Sequence, residues 1–301
     1  PTNQFGWKVL GAVLKQTGRI SASLVASQKS VQLVPQDAEA HYNLGNTLKE
    51  LGRLDEAEAC YTQAIGLKPD LVEAHCNLGS TLQELGRLDD AKASLIQAIA
   101  LKPDYAEVHN NLGITLQEQG RLDDAKASYT QAIALKPDYA EAHSNLGSTL
   151  QELGRLDDAK ASLIQAIALK PDYAEVHNNL GITLQEQGRL DDAKASYAQA
   201  IALKPDYAEA HSNLGNTLHE LGRLEEAEAS YTQAIALKPD FAKAHYNLGV
   251  TLQELGRLDD AKASLIQAIA LKPDYALAHS KLGFTLTAMG SKESALRHFK
   301  R

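Results

Sequence analysis

The sequence predicts an all-α chain, a solenoid of stacked helix pairs, and three observations carry that reading. Prolines at Pro35, Pro69, Pro103, Pro137, Pro171, Pro205, Pro239 and Pro273 fall 34 residues apart, a period in the range of two-helix repeats. The connections inside each period, GR and KPD, are too short for anything but closely packed antiparallel neighbours. Apolar residues recur at helical spacing on both sides of each connection.

With each proline set at position 32 of its repeat, eight full repeats run from residue 4 to residue 275 and a partial ninth covers 276–301. The whole of 1–301 then reads as a single array. The first residue is Pro1 and the last repeat stops inside its second helix, which suggests a piece of a longer chain. Residues 77–147 and 145–215 differ only at Thr130 against Ala198. The copied unit is therefore a pair of repeats.

Residues 138–171 represent the rest. Asp138 precedes a helical pattern, with Glu141 three residues on, a capping-box arrangement. Pro137 cannot extend the preceding helix. Gly154 supplies the positive φ of a helix stop. Asp157 is placed to cap a second helix and Lys160 to pair with it. On a helical wheel His143, Leu146, Gly147, Leu150 and Leu153 share one face of the first helix, and Ala161, Ile164, Ala168 and Leu169 are the expected stacking face of the second. One such pair cannot bury its apolar face alone, so neighbours must stack into a continuous core.

Composition removes several function classes. A formal charge of −8 disfavours nucleic acid, whose phosphates call for clustered Lys and Arg. No stretch reaches the ~18 apolar residues that a membrane span needs, and no secretory leader opens the chain. Cys60 and Cys76 have neither metal-ligand nor framework spacing, so free thiols in a reducing, cytoplasmic setting are expected. Histidines at His41, His75, His109, His143, His177, His211, His245 and His279 keep the 34-residue interval on the face assigned to the core, where packing explains them better than metal ligation. Asp pairs such as Asp89–Asp90 and Asp157–Asp158 stand at helix starts, where capping accounts for them. Catalysis requires one convergence of different groups, whereas a copied repeat multiplies every group equally. No enzyme activity, metal or cofactor is expected.

The pattern resembles the tetratricopeptide repeat. Trp7, Leu10, Gly11 and Pro35 fit its signature in the first repeat; later repeats keep the Leu, the Gly, a central Ala such as Ala159, Tyr or Leu at position 24, and the Pro. At position 4 every repeat after Trp7 carries His instead. The resemblance implies a right-handed superhelical solenoid whose first helices line a concave groove. Positions 2, 5, 6, 9, 12 and 13 would then face a ligand. Position 6 is Asn in seven consecutive repeats: Asn43, Asn77, Asn111, Asn145, Asn179, Asn213 and Asn247. An amide offers donor and acceptor together, so such a ladder can hold an extended backbone without reading its side chains. This is similar to the asparagine-lined repeats of the O-linked N-acetylglucosamine transferases. Gln117, Gln151 and Gln185 at position 12 and Ile114 and Ile182 at position 9 complete the expected peptide-binding set. Glu at positions 2 and 13 forms an acidic rim expected to favour basic or neutral ligands. The tail clamp of some family members needs Lys and Arg at positions 2, 5 and 6. Here only Lys8, Lys243 and Lys281 supply them, scattered along the array. The functional expectation is a protein or peptide scaffold. The alternative is the substrate-recruiting repeats of a larger glycosyltransferase- or sulfotransferase-type enzyme. Leu282, Phe284, Leu286, Leu296 and Phe299 suggest an uncapped end through which copies self-associate.

Overall fold

The computed structural model describes residues 3–299, the side chains of Lys292 and 297–299 aside. Every regular element among these residues is a helix. The chain falls into two compact units, Pro1–Leu153 and Gly154–Arg301. In the first, first helices α1 (Gln4–Gln16), α3 (Ala38–Glu50), α5 (Val72–Glu84), α7 (Ala106–Glu118) and α9 (Ala140–Glu152) alternate with second helices α2 (Ile20–Leu33), α4 (Leu54–Leu67), α6 (Leu88–Leu101) and α8 (Leu122–Leu135). The second unit opens with α10 (Leu156–Leu169), then repeats the alternation through α11 (Ala174–Glu186), α12 (Leu190–Leu203), α13 (Ala208–Glu220), α14 (Leu224–Leu237), α15 (Ala242–Glu254), α16 (Leu258–Leu271), α17 (Ala276–Ala288) and α18 (Lys292–Phe299).

The turn inside each repeat is made by the expected glycine. Gly154 has φ +72, and Gly120 and Gly188 both have φ +73, a conformation that a Cβ disfavours. The glycine of the first helix works by closeness. A Cβ on Gly113 would stand 2.5 Å from Tyr129 Cε1, and one on Gly181 would stand 2.6 Å from Tyr197 Cε1. The missing side chain is the slot that receives the next helix's tyrosine. Tyr129 and Tyr197 are wholly buried there, each beside an alanine, Ala125 or Ala193.

Two local expectations need correction. The first helix begins one residue later than the Asp138–Glu141 box requires. Tyr139 takes the N-cap position without a side-chain bond, while Asp138 contributes its carbonyl to Ala140 N at 3.1 Å. Only where the chain reads PQDA does an aspartate reach that position: Asp37 Oδ1 accepts from Glu39 N at 3.0 Å and Ala40 N at 3.2 Å. At the second helix the cap is Arg155 rather than Asp157. Asp157 lies inside the first turn, 3.4 Å from Lys160, and Arg155 pairs with Asp158 at 2.6 Å. The acids therefore serve the helix dipole rather than the cap.

The buried face of the second helix also differs. Ala159, Leu163 and Ala166 are buried, whereas Ala161 and Ala168 are exposed and Ile164 is 51% exposed. The core thus follows an i, i+4, i+7 stripe one residue out of phase with the expected face. At the last repeat, Leu282 and Leu286 are not part of an open stack: they are buried with Leu265 and Ala295. Phe284 and Leu296 are exposed, and the Phe299 side chain lies outside the described residues.

The recurring histidines are fasteners between repeats. Each Nε2–H donates to the carbonyl of the preceding proline, as in His109 to Pro103 (2.8 Å), His143 to Pro137 (3.0 Å) and His211 to Pro205 (3.1 Å). They are half-buried rather than core residues, His279 excepted. The bond fixes the tautomer and ties each first helix to the loop before it.

Candidate functional site

The asparagines at position 6 occupy one register on successive first helices, and all seven are half-buried. Their amides are already partly used. Asn145 Nδ2 donates to Asn110 Oδ1 and Asn213 Nδ2 to Asn178 Oδ1, both at 3.0 Å. Asn77 Nδ2 reaches Asn46 Oδ1 and Asn247 Nδ2 reaches Asn216 Oδ1, both at 2.8 Å, and Asn111 Nδ2 lies 3.5 Å from Cys76 Sγ. Each bond crosses from one repeat to the one before. The ladder therefore braces the stack. One N–H is spent on the brace, which orients the amide and leaves its oxygen and second N–H turned from that partner. Among the described residues no donor lies within hydrogen-bond distance of the oxygens of Asn111, Asn145, Asn213 and Asn247. Asn43 and Asn179 hold the same register, and Asn43 lines a cleft of about 360 Å³ with Asn46 and Lys15.

The glutamines at position 12 are more fully engaged. Gln117 Oε1 accepts from Tyr129 Oη at 3.0 Å and lies 3.1 Å from the Thr149 hydroxyl, while its Nε2 donates to Glu152 at 2.5 Å. Gln185 repeats the arrangement with Tyr197 (3.1 Å), Thr217 (3.2 Å) and Glu220. These glutamines supply the partner that a buried phenol needs. Gln151 is half-buried at the same register. Ile114 and Ile182 pack on the Leu116–Tyr129 and Leu184–Tyr197 clusters.

The acidic rim is also internally paired. Lys15 meets Glu50 at 3.2 Å, Lys49 meets Glu84 at 3.0 Å and His219 meets Glu254 at 3.1 Å, each joining position 12 to position 13 of the next repeat. At position 2, Glu107 pairs with Lys136 (3.2 Å), Glu175 with Lys204 and Glu209 with Lys238 (both 3.0 Å). The lysine hydrogen bonds hold the Glu175 and Glu209 carboxyls below the usual carboxylate range. Such exposed pairs contribute little energy, and Glu118, Glu152 and Glu220 accept instead from the neutral amides of Gln83, Gln117 and Gln185 and keep their charge.

Position 9 carries residues the sequence reading passed over. Asn46 Oδ1 accepts from Tyr61 Oη, and Asn216 Oδ1 from Tyr231 Oη, both at 2.8 Å. In these two repeats position 12 is Lys49 or His219, not Gln. The hydroxyl has moved from the glutamine to the asparagine one turn back, and the clefts of this face lie beside both exchanges. Pairing Asn at position 9 with Lys or His at position 12 was the signal available in the sequence. Burial pushes the phenols of Tyr61, Tyr129, Tyr197 and Tyr231 well above their ordinary range. Burial also raises both thiols, that of Cys60 to about 11. No helix among the described residues is long and apolar enough to cross a membrane.

Stacked helix pairs joined by a glycine turn, with small residues at the tightest crossings, define a tetratricopeptide-repeat protein, and residues 38–71 match that repeat family. The chain belongs to the family described as the cilia and flagella-associated protein 70 C-terminal domain, which matches residues 71–289. None of the curated proteins matches it. Among solved structures the chain is similar to one titled as the APC/C hetero-tetramer Cut9–Hcn1, with TM-score 0.69 and 18% identity over 89% of this chain. It spans 52% of that chain's length. Pseudomonas aeruginosa pilF is similar with TM-score 0.62 and 21% identity, over 69% of this chain and 94% of its own. YrrB, titled a TPR protein with an unusual peptide-binding site, is similar with TM-score 0.50 and 26% identity, over 61% of this chain and 95% of its own. The first two likenesses speak to the fold alone.

Proposed function

We propose that this chain is a binding scaffold that holds an extended peptide segment along the position-6 asparagines. The observation that carries it is the half-used amide. The brace between repeats sets the orientation of Asn111, Asn145, Asn213 and Asn247, while their oxygens take no donor among the described residues. One pre-oriented acceptor per repeat matches the N–H groups of an extended backbone, and pre-orientation lowers the entropy cost of binding. The peptide-binding site in YrrB's title supports a partner of this kind. Gln117 and Gln185 are better read as the frame behind this row than as contacts.

Calorimetric titration of unrelated, end-capped short peptides tests the reading. Asn111→Ala, Asn145→Ala and Asn213→Ala combined should weaken every peptide alike. At about 0.5–1.5 kcal/mol for each lost bond, the loss is roughly one to three orders of magnitude. Undiminished binding by the folded triple variant would reduce the row to a brace.

A further inference from the structure

The stripe that the sequence assigns to stacking in the second helix, Ala161, Ile164, Ala168 and Leu169, belongs to a 14-residue helix that occurs three times without change, as α6, α10 and α16. The core uses the neighbouring stripe, so this one is left on the surface. In α6 it comprises Ala93, Ile96, Ala100 and Leu101, all exposed, Ile96 at 47% and Leu101 at 43%. Helices α4, α8, α12 and α14 carry Thr62, Thr130, Ala198 and Thr232 where Ile96 stands, so the fold does not demand an isoleucine there. Beside Ile96 a cleft of about 370 Å³ opens between α6 and α8, lined by Leu112 and Leu116 of α7 and by Lys92, Arg121 and Asp124. An exposed apolar knob thus stands next to an apolar recess, both within the first unit.

The charges around this face balance. Arg121 meets Asp124 at 2.6 Å and Lys92 meets Asp89 at 3.5 Å. Asp89 also accepts from Gln119 Nε2 at 3.0 Å, yet its side chain stays 89% exposed. Past the other end of α6, Lys102 is exposed over the Tyr105 ring at 4.8 Å, with no ion pair among the described residues. The equivalent Lys136 and Lys204 are held by Glu107 and Glu175. Helix α6 therefore presents a carboxylate at its start, an unpaired ammonium after its end and an apolar stripe centred on Ile96 between them. A helix with that order is complementary to itself turned end for end. We propose that α6 is a self-association face on which α6 of a second copy docks antiparallel, about a twofold axis near Ile96. The two Ile96 side chains then meet over the paired clefts, Ala93 of each copy lies opposite Ala100 of the other, and Asp89 of each comes to Lys102 of the other. Twofold symmetry makes every such contact twice. A chain of net charge −8 repels its own copies over most of its surface, and the balanced rim of α6 removes that repulsion at one place.

Sedimentation equilibrium of the full chain tests this. Between about 1 and about 200 µM the average mass should rise reversibly from one chain towards two and no further, the weak range of a contact made through one helix. Ile96→Thr introduces the residue that Thr62, Thr130 and Thr232 provide at this position, so the variant folds and should melt like the native chain. It should weaken the dimer about tenfold or more, because the central apolar anchor is lost from both copies. Lys102→Glu and Asp89→Lys should each weaken it too, since each sets like charges together at both ends of the helix pair. An equimolar mixture of these two variants should regain the dimer, because opposite charges then face each other at both ends. At about 0.5 M salt the two charge variants should approach the native chain, while the Ile96→Thr defect persists. A monomer at every concentration, a dimer that survives Ile96→Thr, or a mixture of the charge variants that stays monomeric overturns the proposal. A dimer kept in Ile96→Thr but lost in Leu296→Lys would move the association to the last repeat and overturn it as well.

Discussion

The exchange between positions 9 and 12 makes a quantitative prediction. Tyr231 is 2% exposed, so its hydroxyl depends on Asn216 Oδ1, which also receives Asn247 Nδ2. Asn216→Ser removes the acceptor of both. Stranding a buried hydroxyl costs about 1–3 kcal/mol, and losing the Asn247 brace adds about 0.5–1.5 kcal/mol. His219→Gln alone is nearly neutral, since it forfeits only a half-exposed contact with Glu254 worth at most about 1 kcal/mol. In the double variant the introduced glutamine stands where Gln185 stands in its own repeat. There Gln185 serves Tyr197 at 3.1 Å, Thr217 at 3.2 Å and Glu220. The second substitution should then recover about 1–3 kcal/mol of the first, an interaction energy well outside additivity.

Urea unfolding at constant m-value reads this cycle. Hydrogen exchange at the α13–α15 junction localises it, because solenoid stability is a sum of neighbouring terms. If the two single changes add within about 0.5 kcal/mol, the phenol is not handed between these two side chains and the account of the clefts is wrong.

Three further outcomes follow from the same geometry. Asn213→Ala should cost about 1–3 kcal/mol in urea unfolding, because it leaves the oxygen of Asn178, 4% exposed, without its donor, whereas Asn43→Ala, which breaks no described side-chain bond, should change stability by less than about 0.5 kcal/mol; equal losses would contradict the bracing role. Gly113→Ala should destabilise by about 1–3 kcal/mol against the Tyr129 ring, while Gly66→Ala, which meets nothing within 4 Å in the last turn of α4, should gain less than about 1 kcal/mol; matching signs in thermal melts would refute the slot. Burial raises Tyr139 from 10.0 to about 12. A raised native value stabilises fully below the unfolded value, so stability should hold up to about pH 10 and fall as pH rises towards 12; a flat urea midpoint across that range would refute it.

Much of this fold was legible because its signals are local. The proline period, the positive-φ glycines at Gly154 and its equivalents, and the first-helix face each depend on a few adjacent residues. The second helix was not, because LDDAKASLIQAIAL sets alanines and aliphatics all around the wheel. Whether Leu95 or Ile96 points inward is then decided by the glycine slot of the first helix, where a Cβ on Gly79 would meet Leu95, not by the pattern. The caps failed for a related reason: PQDA and KPDY look alike in composition, yet the helix start falls on Asp37 in one and on Tyr139 in the other. The asparagine row was legible as a recurrence, but its use as a brace was not. Its partners Asn46, Asn110, Asn178 and Asn216 stand 31 to 35 residues away, and wheel geometry says nothing about them.

Copying explains why the exchange between positions 9 and 12 had to arise through paired changes. A repeat that is duplicated brings its braces with it, so a lone substitution at position 12 would leave a buried tyrosine hydroxyl without an acceptor. Asn at position 9 removes that constraint. Once Asn46 or Asn216 holds the phenol, position 12 can become Lys49 or His219 while the core stays satisfied. The middle of the array keeps Gln117 and Gln185 in that structural task, so this face stays uniform there. Discrimination between ligands requires a place where the repeat differs from itself. In the second unit the relieved position lies beside Lys243, the position-2 cation that the rim does not neutralise. On the proposed reading, such a scaffold grips a backbone along its copies and can read a side chain only where its copying was broken.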